Sequence, residues 1–182
     1  ARKPDNFELQ VLIIANACSD NTVKTLSNYS LGDLDLEVAE EPKPGKSNAL
    51  NCAIKLIDDN VFTCFIDDDH RIDDDYFVSI VKSIYRYHET KIFCGRIIPD
   101  WTGNEPSWVL DNGQYKIHPL PIPHFEMGSN PCIVNTNTKL PGGGNLIIHS
   151  SIFAMIGLFS TELGPVGNSL AGSEDSDFIL RA

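Results

Sequence analysis

Three continuous apolar runs, LQVLIIAN (9–16), VFTCFI (61–66) and KIFCGRII (91–98), alternate along the chain with segments of helical periodicity. A strand with one wet face alternates apolar and polar residues, whereas a continuous apolar run has to be covered on both faces. CSDNTVKTLSNYS follows the first run, with Ser19 or Asp20 as the helix N-cap. DLEVAEEP (35–42) is a short strand closed by Pro42 and Pro44, and GKSNALNCAIKLIDD then sets Ala49, Leu50, Ala53, Ile54 and Ile57 at helical spacing. DDDYFVSIVKSIYRYH (73–88) does the same with Phe77, Ile80, Val81 and Ile84. The pattern predicts an α/β fold, a mostly parallel sheet flanked by helices, and 182 residues that are 42% hydrophobic suffice for one such domain.

From Pro99 to Pro141 the periodicity fails, and the stretch is rich in Pro, Asn and Gly and carries both tryptophans. Its length fits an insertion with short strands or a lid. Order returns at GGGNLIIHSSIFAMIGLF, a glycine-rich entry, a short strand and a helical stretch, and GSEDSDFILRA ends the chain with Ser173 or Glu174 opening a last helix.

The formal net charge of −11 argues against sequence-independent binding of nucleic acid, which needs clustered Lys and Arg to displace counterions. No apolar run reaches bilayer length, and the first residues lack a signal-peptide pattern. The five cysteines are odd in number, form no CxxC pair and sit mostly among apolar neighbours, as free thiols do in a reducing compartment. The expectation is a soluble, cytoplasmic protein, with membrane association on the cytoplasmic face left to segments beyond the ends.

Six aspartates fall within the nine positions 67–75, directly after the VFTCFI run. Ligands of parallel α/β sheets bind outside the carboxyl ends of the strands, so Asp67, Asp68 and Asp69, after what is expected to be the most buried strand, occupy a site position. If the extended backbone persists, Asp67 and Asp69 point to one side and suit a hard divalent cation, Mg²⁺ or Mn²⁺. Three adjacent carboxylates repel one another and need a compensating charge. Asp73, Asp74 and Asp75 are most simply N-cap and first-turn residues of the next helix.

The ordered motifs ANACSDNT, KPGKSNALNCAI, CFIDDDHRIDDDYF, GGGNLIIHSSIFAMIGLF and GSEDSDFILRA resemble the family 2 glycosyltransferases of GT-A fold, over nearly the whole chain. The resemblance implies a single catalytic domain over 1–182, with a nucleotide-binding half (1–98) and an acceptor and catalytic-base half (99–182). It places Asp20 on the nucleotide base, Gly45 and Lys46 beside the nucleotide, and Asp67 and Asp68 on the nucleotide as well. Asp69, with Asp67, would hold Mn²⁺ or Mg²⁺ at the diphosphate, and Gly143, Gly144 and Asn145 would lie beside the donor sugar and acceptor. Asp175, with Glu174 next to it, matches the Glu-Asp motif that supplies the catalytic base. The implied partners are a nucleotide-sugar, UDP-linked, and a hydroxyl acceptor that is a glycan, lipid-linked or otherwise. The family's opening strand with its PxYN-like segment is missing ahead of ARKPDNFELQ, and so are its C-terminal helices, as in a fragment.

The chemistry suits these residue types. A metal neutralises charge on the departing phosphate, and a carboxylate accepts the proton of the attacking hydroxyl, so that one displacement inverts the anomeric centre. Lys46 either neutralises phosphate or is a solvated helix-start lysine, and Glu174 either supports Asp175 or exchanges roles with it. His118 and His124 are third metal ligands, acceptor contacts or surface residues, and His70 is better placed than either. Trp101 and Trp108 form a sugar platform or a satellite apolar cluster. The competing functions are a nucleotidyltransferase, a non-catalytic GT-A-like domain that binds a glycan or a protein, and an aspartate-dependent phosphatase, whose carboxylates would follow the first strand.

Overall fold

The computed structural model describes residues 1–109, 122–165 and 172–182. Its elements run β1 (Gln10–Asn16), α1 (Thr22–Ser27), β2 (Asp35–Glu41), α2 (Lys46–Ile54), β3 (Phe62–Ile66), α3 (Tyr76–Arg86), β4 (Ile92–Cys94), β5 (Asn145–His149), α4 (Ser151–Ile156) and α5 (Glu174–Arg181). The expected alternation of strands and helices is present, within a few residues at each boundary.

The parallel pairing is narrower than the sequence suggests. Among the described residues β1 and β2 pair in parallel, from Gln10 opposite Asp35 to Asn16 opposite Glu41, and β3, β5 and β4 form a second sheet in that order. Both of its ladders are antiparallel, Phe62–Ile66 running against His149–Asn145 and Ile92–Cys94 against Ile148–Leu146. β5 follows the 99–141 stretch, whose sequence lacks helical periodicity, and an antiparallel neighbour needs no crossover helix. β5 is also the most buried strand: Leu146 and Ile148 are completely inaccessible and Ile147 and His149 are buried, whereas in β3 only Phe65 is buried. The expectation that the VFTCFI strand is the most buried is therefore corrected, because among the described residues β5 has a strand on each side and β3 has one.

Phe65, Leu146, Ile148, Ile152, Phe153, Phe159 and Phe178 form the main core. Phe159 and Phe178 stack with centroids 4.2 Å apart, and Phe153 and Phe65 meet their neighbours edge-on or tilted. A fully buried Phe, Leu or Ile contributes roughly 1.5–3 kcal/mol over an exposed one, so Phe178 anchors the short helix α5. Arg181 fastens the other end of α5 by donating to Ile156 O at 2.7 Å and Leu158 O at 2.9 Å.

The predicted apolar face of α2 does pack on this core through Leu50 and Ile54, with Ile57 just beyond the helix. The buried residues of α2 are polar, however. Ser47 donates to Leu163 O at 3.1 Å, and Asn51 both donates to Phe159 O and accepts from Phe159 N, each at 2.9 Å. Buried polar groups need partners, and these two tie α2 to the segment that leads towards α5.

α3 begins at Tyr76, so Asp73 and Asp74 lie before the helix, and Asp75 holds the N-cap position without a side-chain cap bond. The expected capping role is replaced by contacts with the first residues of the chain. Arg2 pairs with Asp75 at 2.6 Å and its backbone N–H donates to Asp74 O at 2.7 Å. Among the described residues of 99–141, extended pairing is limited to a bridge between Ile97 and Phe125. Trp101 and Trp108 are each about two-fifths exposed, and Val109, which follows Trp108 in the chain, is buried.

Candidate active site

Antiparallel register brings the first aspartates and the glycines together. Ile66, the last residue of β3, lies opposite Asn145, the first of β5, so the residues after Ile66 face those before Asn145. The extended backbone does not continue past Ile66: the His70 N–H donates to Asp67 O at 3.1 Å and closes a turn. The side-by-side arrangement expected of a strand is thus replaced by a turn, which still sets ligand atoms of Asp67, Asp69 and His70 within 4.8 Å of one another. Asp68 is exposed, and Asp69 is 81% exposed.

Backbone proximity explains the glycines. A methyl on Gly144 would overlap the His70 ring and come within 2.8 Å of Asp67 Oδ2, and one on Gly143 would overlap the Asp175 carboxylate. Both positions are buried, and without side chains their peptide groups reach the site. Gly143 N–H donates to Asp175 Oδ2 at 2.7 Å, and Gly144 O lies 2.9 Å from His70 Nδ1. Asn145 donates to Arg96 O and accepts from the Tyr76 hydroxyl, each at 2.9 Å, which fixes the start of β5 behind the glycines.

Lys46 joins the two halves of the group. Its Nζ donates to Asp67 Oδ2 at 3.1 Å, from the first position of α2. Burial alone would lower the ammonium pKa, but the negative charges of Asp175, Asp67 and Glu174 outweigh it and hold the pKa above its ordinary value. The loop that aims Lys46 is pinned by Asn16 at the end of β1, which donates to Glu41 O and Lys43 O and accepts from Gly45 N at 2.9 Å.

Glu174 and Asp175 open α5, where the helix dipole favours carboxylates. Ser173 just before them is left-handed (φ 84°), a backbone state that costs a non-glycine residue of order 1–2 kcal/mol and is over-represented at functional sites. Glu174 is 4% exposed, against Gly164 and near Ser47, and burial followed by the neighbouring Asp175 charge raises its pKa. Asp175 Oδ2 is satisfied by Gly143, whereas Asp175 Oδ1 is buried without any hydrogen-bond partner among the described residues. A native protein rarely leaves a buried carboxylate oxygen unpaired.

The structure therefore gathers Lys46, Asp67, Asp69, Gly143, Gly144, Glu174 and Asp175, with Asn145 and Gly45 at the margins. Asp20 stands apart: its Oδ1 accepts from Thr22 N and the Thr22 hydroxyl, and these bonds lower its pKa, as at a helix start. Ser47, Asn51, Asn16 and Tyr76 support the site without a sequence signal that would single them out. His118 lies outside the described residues, and His124 sits 3.9 Å from Glu126. No helix among the described residues is long and apolar enough to cross a membrane.

The family model for glycosyl transferase family 2 matches residues 2–153, which include the DDDH turn, the glycines and β5 but stop short of α5. No curated protein and no solved structure matches the chain.

Proposed function

The chain belongs to glycosyl transferase family 2 and has the GT-A fold of that family, and from this premise we propose that it transfers a sugar from a UDP-sugar to an acceptor hydroxyl with inversion at the anomeric carbon. The family makes it a glycosyltransferase with a nucleotide-sugar donor. The nucleotide base, the metal and the stereochemistry are our reading, as is the division of one catalytic domain into a nucleotide half (1–98) and an acceptor half (99–182). Synthesis of a cell-surface polysaccharide or glycoconjugate, on a glycan or lipid-linked acceptor, is the setting that fits.

Asp67 and Asp69 offer carboxylate oxygens from one tight turn, a donor set that suits Mn²⁺ or Mg²⁺, and Asp67 has a second oxygen with which to keep Lys46. Such an ion supplies neutralisation of the charge that develops on the leaving diphosphate. Lys46 adds a fixed cation at the same place, and its raised pKa keeps it charged across the physiological range. Asp20, Asp67 and Asp68 are assigned to the nucleotide, and Gly143, Gly144 and Asn145 line the donor sugar and acceptor side.

The observation that carries the reading is the unpartnered Asp175 Oδ1 on a carboxylate braced by Gly143. In this assignment Oδ1 takes the proton of the acceptor hydroxyl while the hydroxyl oxygen bonds to the anomeric carbon. The bond from that carbon to the diphosphate breaks, its electron pair leaves with UDP, and the single displacement inverts the centre. Glu174, buried next to Asp175 with a raised pKa, is assigned the supporting role beside that carboxylate.

Calorimetric titration of UDP and of GDP, with Mn²⁺ and then with EDTA, tests the reading on the unaltered protein and on Asp69→Ala. UDP binding that needs the metal and disappears in the variant supports it. Absence of nucleotide binding under every condition overturns it.

A further inference from the structure

The two ring nitrogens of His70 face different groups. His70 Nδ1 lies 2.9 Å from Gly144 O, and a carbonyl oxygen only accepts, so in the neutral ring Nδ1 carries the proton and Nε2 the lone pair. Nε2 faces the DDDH turn, 3.8 Å from Asp69 Oδ1, beyond hydrogen-bond range, with the imidazole only 20% exposed. An unprotonated ring nitrogen and a carboxylate oxygen are both electron-pair donors, and a cation between them satisfies both. A backbone carbonyl that fixes the tautomer of a ligating histidine from behind is the usual arrangement at metal sites.

We propose that His70 Nε2 is a nitrogen ligand of the cation held by Asp67 and Asp69, and that it makes the site select Mn²⁺ and Co²⁺ over Mg²⁺. The inference rests on the cation site proposed above and adds a ligand to it. Mg²⁺ takes oxygen ligands and keeps its waters, so an imidazole gains it little, whereas affinity for a nitrogen donor rises along the series from Mn²⁺ to Co²⁺. The same ring links the cation to the glycine pair, because Gly144 can bond it only while lacking a side chain.

Pulsed electron paramagnetic resonance of the Mn²⁺-loaded protein, with and without UDP, reads the ligand directly. The expected result is a ¹⁴N coupling from a directly bound imidazole, replaced by ¹⁵N when the histidines are labelled. It should be lost in His70→Gln and retained in His124→Gln. Calorimetry of His70→Gln should show Mn²⁺ affinity down at least about tenfold, since losing a ligand costs no less than losing its outer partner. Mg²⁺ affinity should move much less. Mn²⁺ binding at the aspartates without nitrogen coupling overturns the role of His70 and leaves the Asp67 and Asp69 reading standing. Absence of Mn²⁺ binding even with UDP overturns both. The coupling is read on the unaltered protein, so a misfolded variant does not rescue the idea.

Discussion

Asp67–Asp69 and Asp73–Asp75 are the same three residues written twice, with three residues between them, yet they have different surroundings. The first triplet sits where β3 meets the start of β5, and Asp67 receives Lys46 while Asp69 lies beside His70. The second precedes α3 and meets Arg2 and solvent. Charge density is equal in the two, so it does not make the site. Register does, by setting buried glycine backbone and a third group of carboxylates, Glu174 and Asp175, against one triplet and not the other.

The comparison breaks first if the carboxylates around the first triplet prove dispensable. Asp175→Asn keeps the shape and the Gly143 contact but removes the proton acceptor. We expect sugar transfer, followed as UDP release, to fall by about 10²–10⁴-fold in kcat, the usual contribution of a general base. Metal-dependent UDP binding should stay within a small factor. A variant that transfers at the parent rate would remove Asp175 from the chemistry and leave its buried, unpartnered oxygen without a purpose.

Gly144→Ala attacks the register argument itself. The added methyl overlaps the His70 ring and crowds Asp67, so the ring has to move away from Gly144 O. Overpacking of this kind costs typically about 1–3 kcal/mol, to be read from a denaturation midpoint, with a parallel loss of Mn²⁺ affinity. Unchanged metal affinity in a folded Gly144→Ala protein would show that the glycines and the triplet are neighbours without being coupled.

The elements of this fold are largely visible in the sequence, because a buried strand needs continuous apolar residues and an amphipathic helix needs its period. The order of the strands is less so. Nothing in NLIIH says that it runs antiparallel between β3 and β4, since an apolar run has the same pattern in either direction. The approach of Gly143 to Asp175 is likewise legible only as motif content. Ser47 and Asn51 look like ordinary polar helix residues, and their burial depends on backbone more than a hundred positions away. The DDDH segment reads as a strand continuation and acts as a turn, because a single backbone hydrogen bond from His70 redirects three aspartates.

Glu174 offers a gentler contrast between buried and exposed carboxylates. Its pKa is raised in the folded state, so it binds its proton more tightly folded than unfolded, and the stability this provides is complete below its ordinary value of 4.5. That contribution is lost as pH rises through the elevated native value. Glu174→Gln should therefore raise the melting temperature near neutral pH relative to the parent and change it little below pH 4.5. Equal shifts at both pH values would mean that the carboxylate is not desolvated.

The smallest effect belongs to the second triplet. Asp75 and Arg2 are each 67% exposed, and solvent-exposed ion pairs contribute about 0–1 kcal/mol. Asp75→Ala should shift the melting temperature only slightly, less still in high salt, because screening already weakens the pair it removes. UDP and Mn²⁺ affinities should match those of the parent, in contrast to Asp69→Ala, which loses both. If Asp75→Ala weakened nucleotide binding as strongly as Asp69→Ala, the two triplets would be one acidic surface, and the partners that distinguish them would not matter to function.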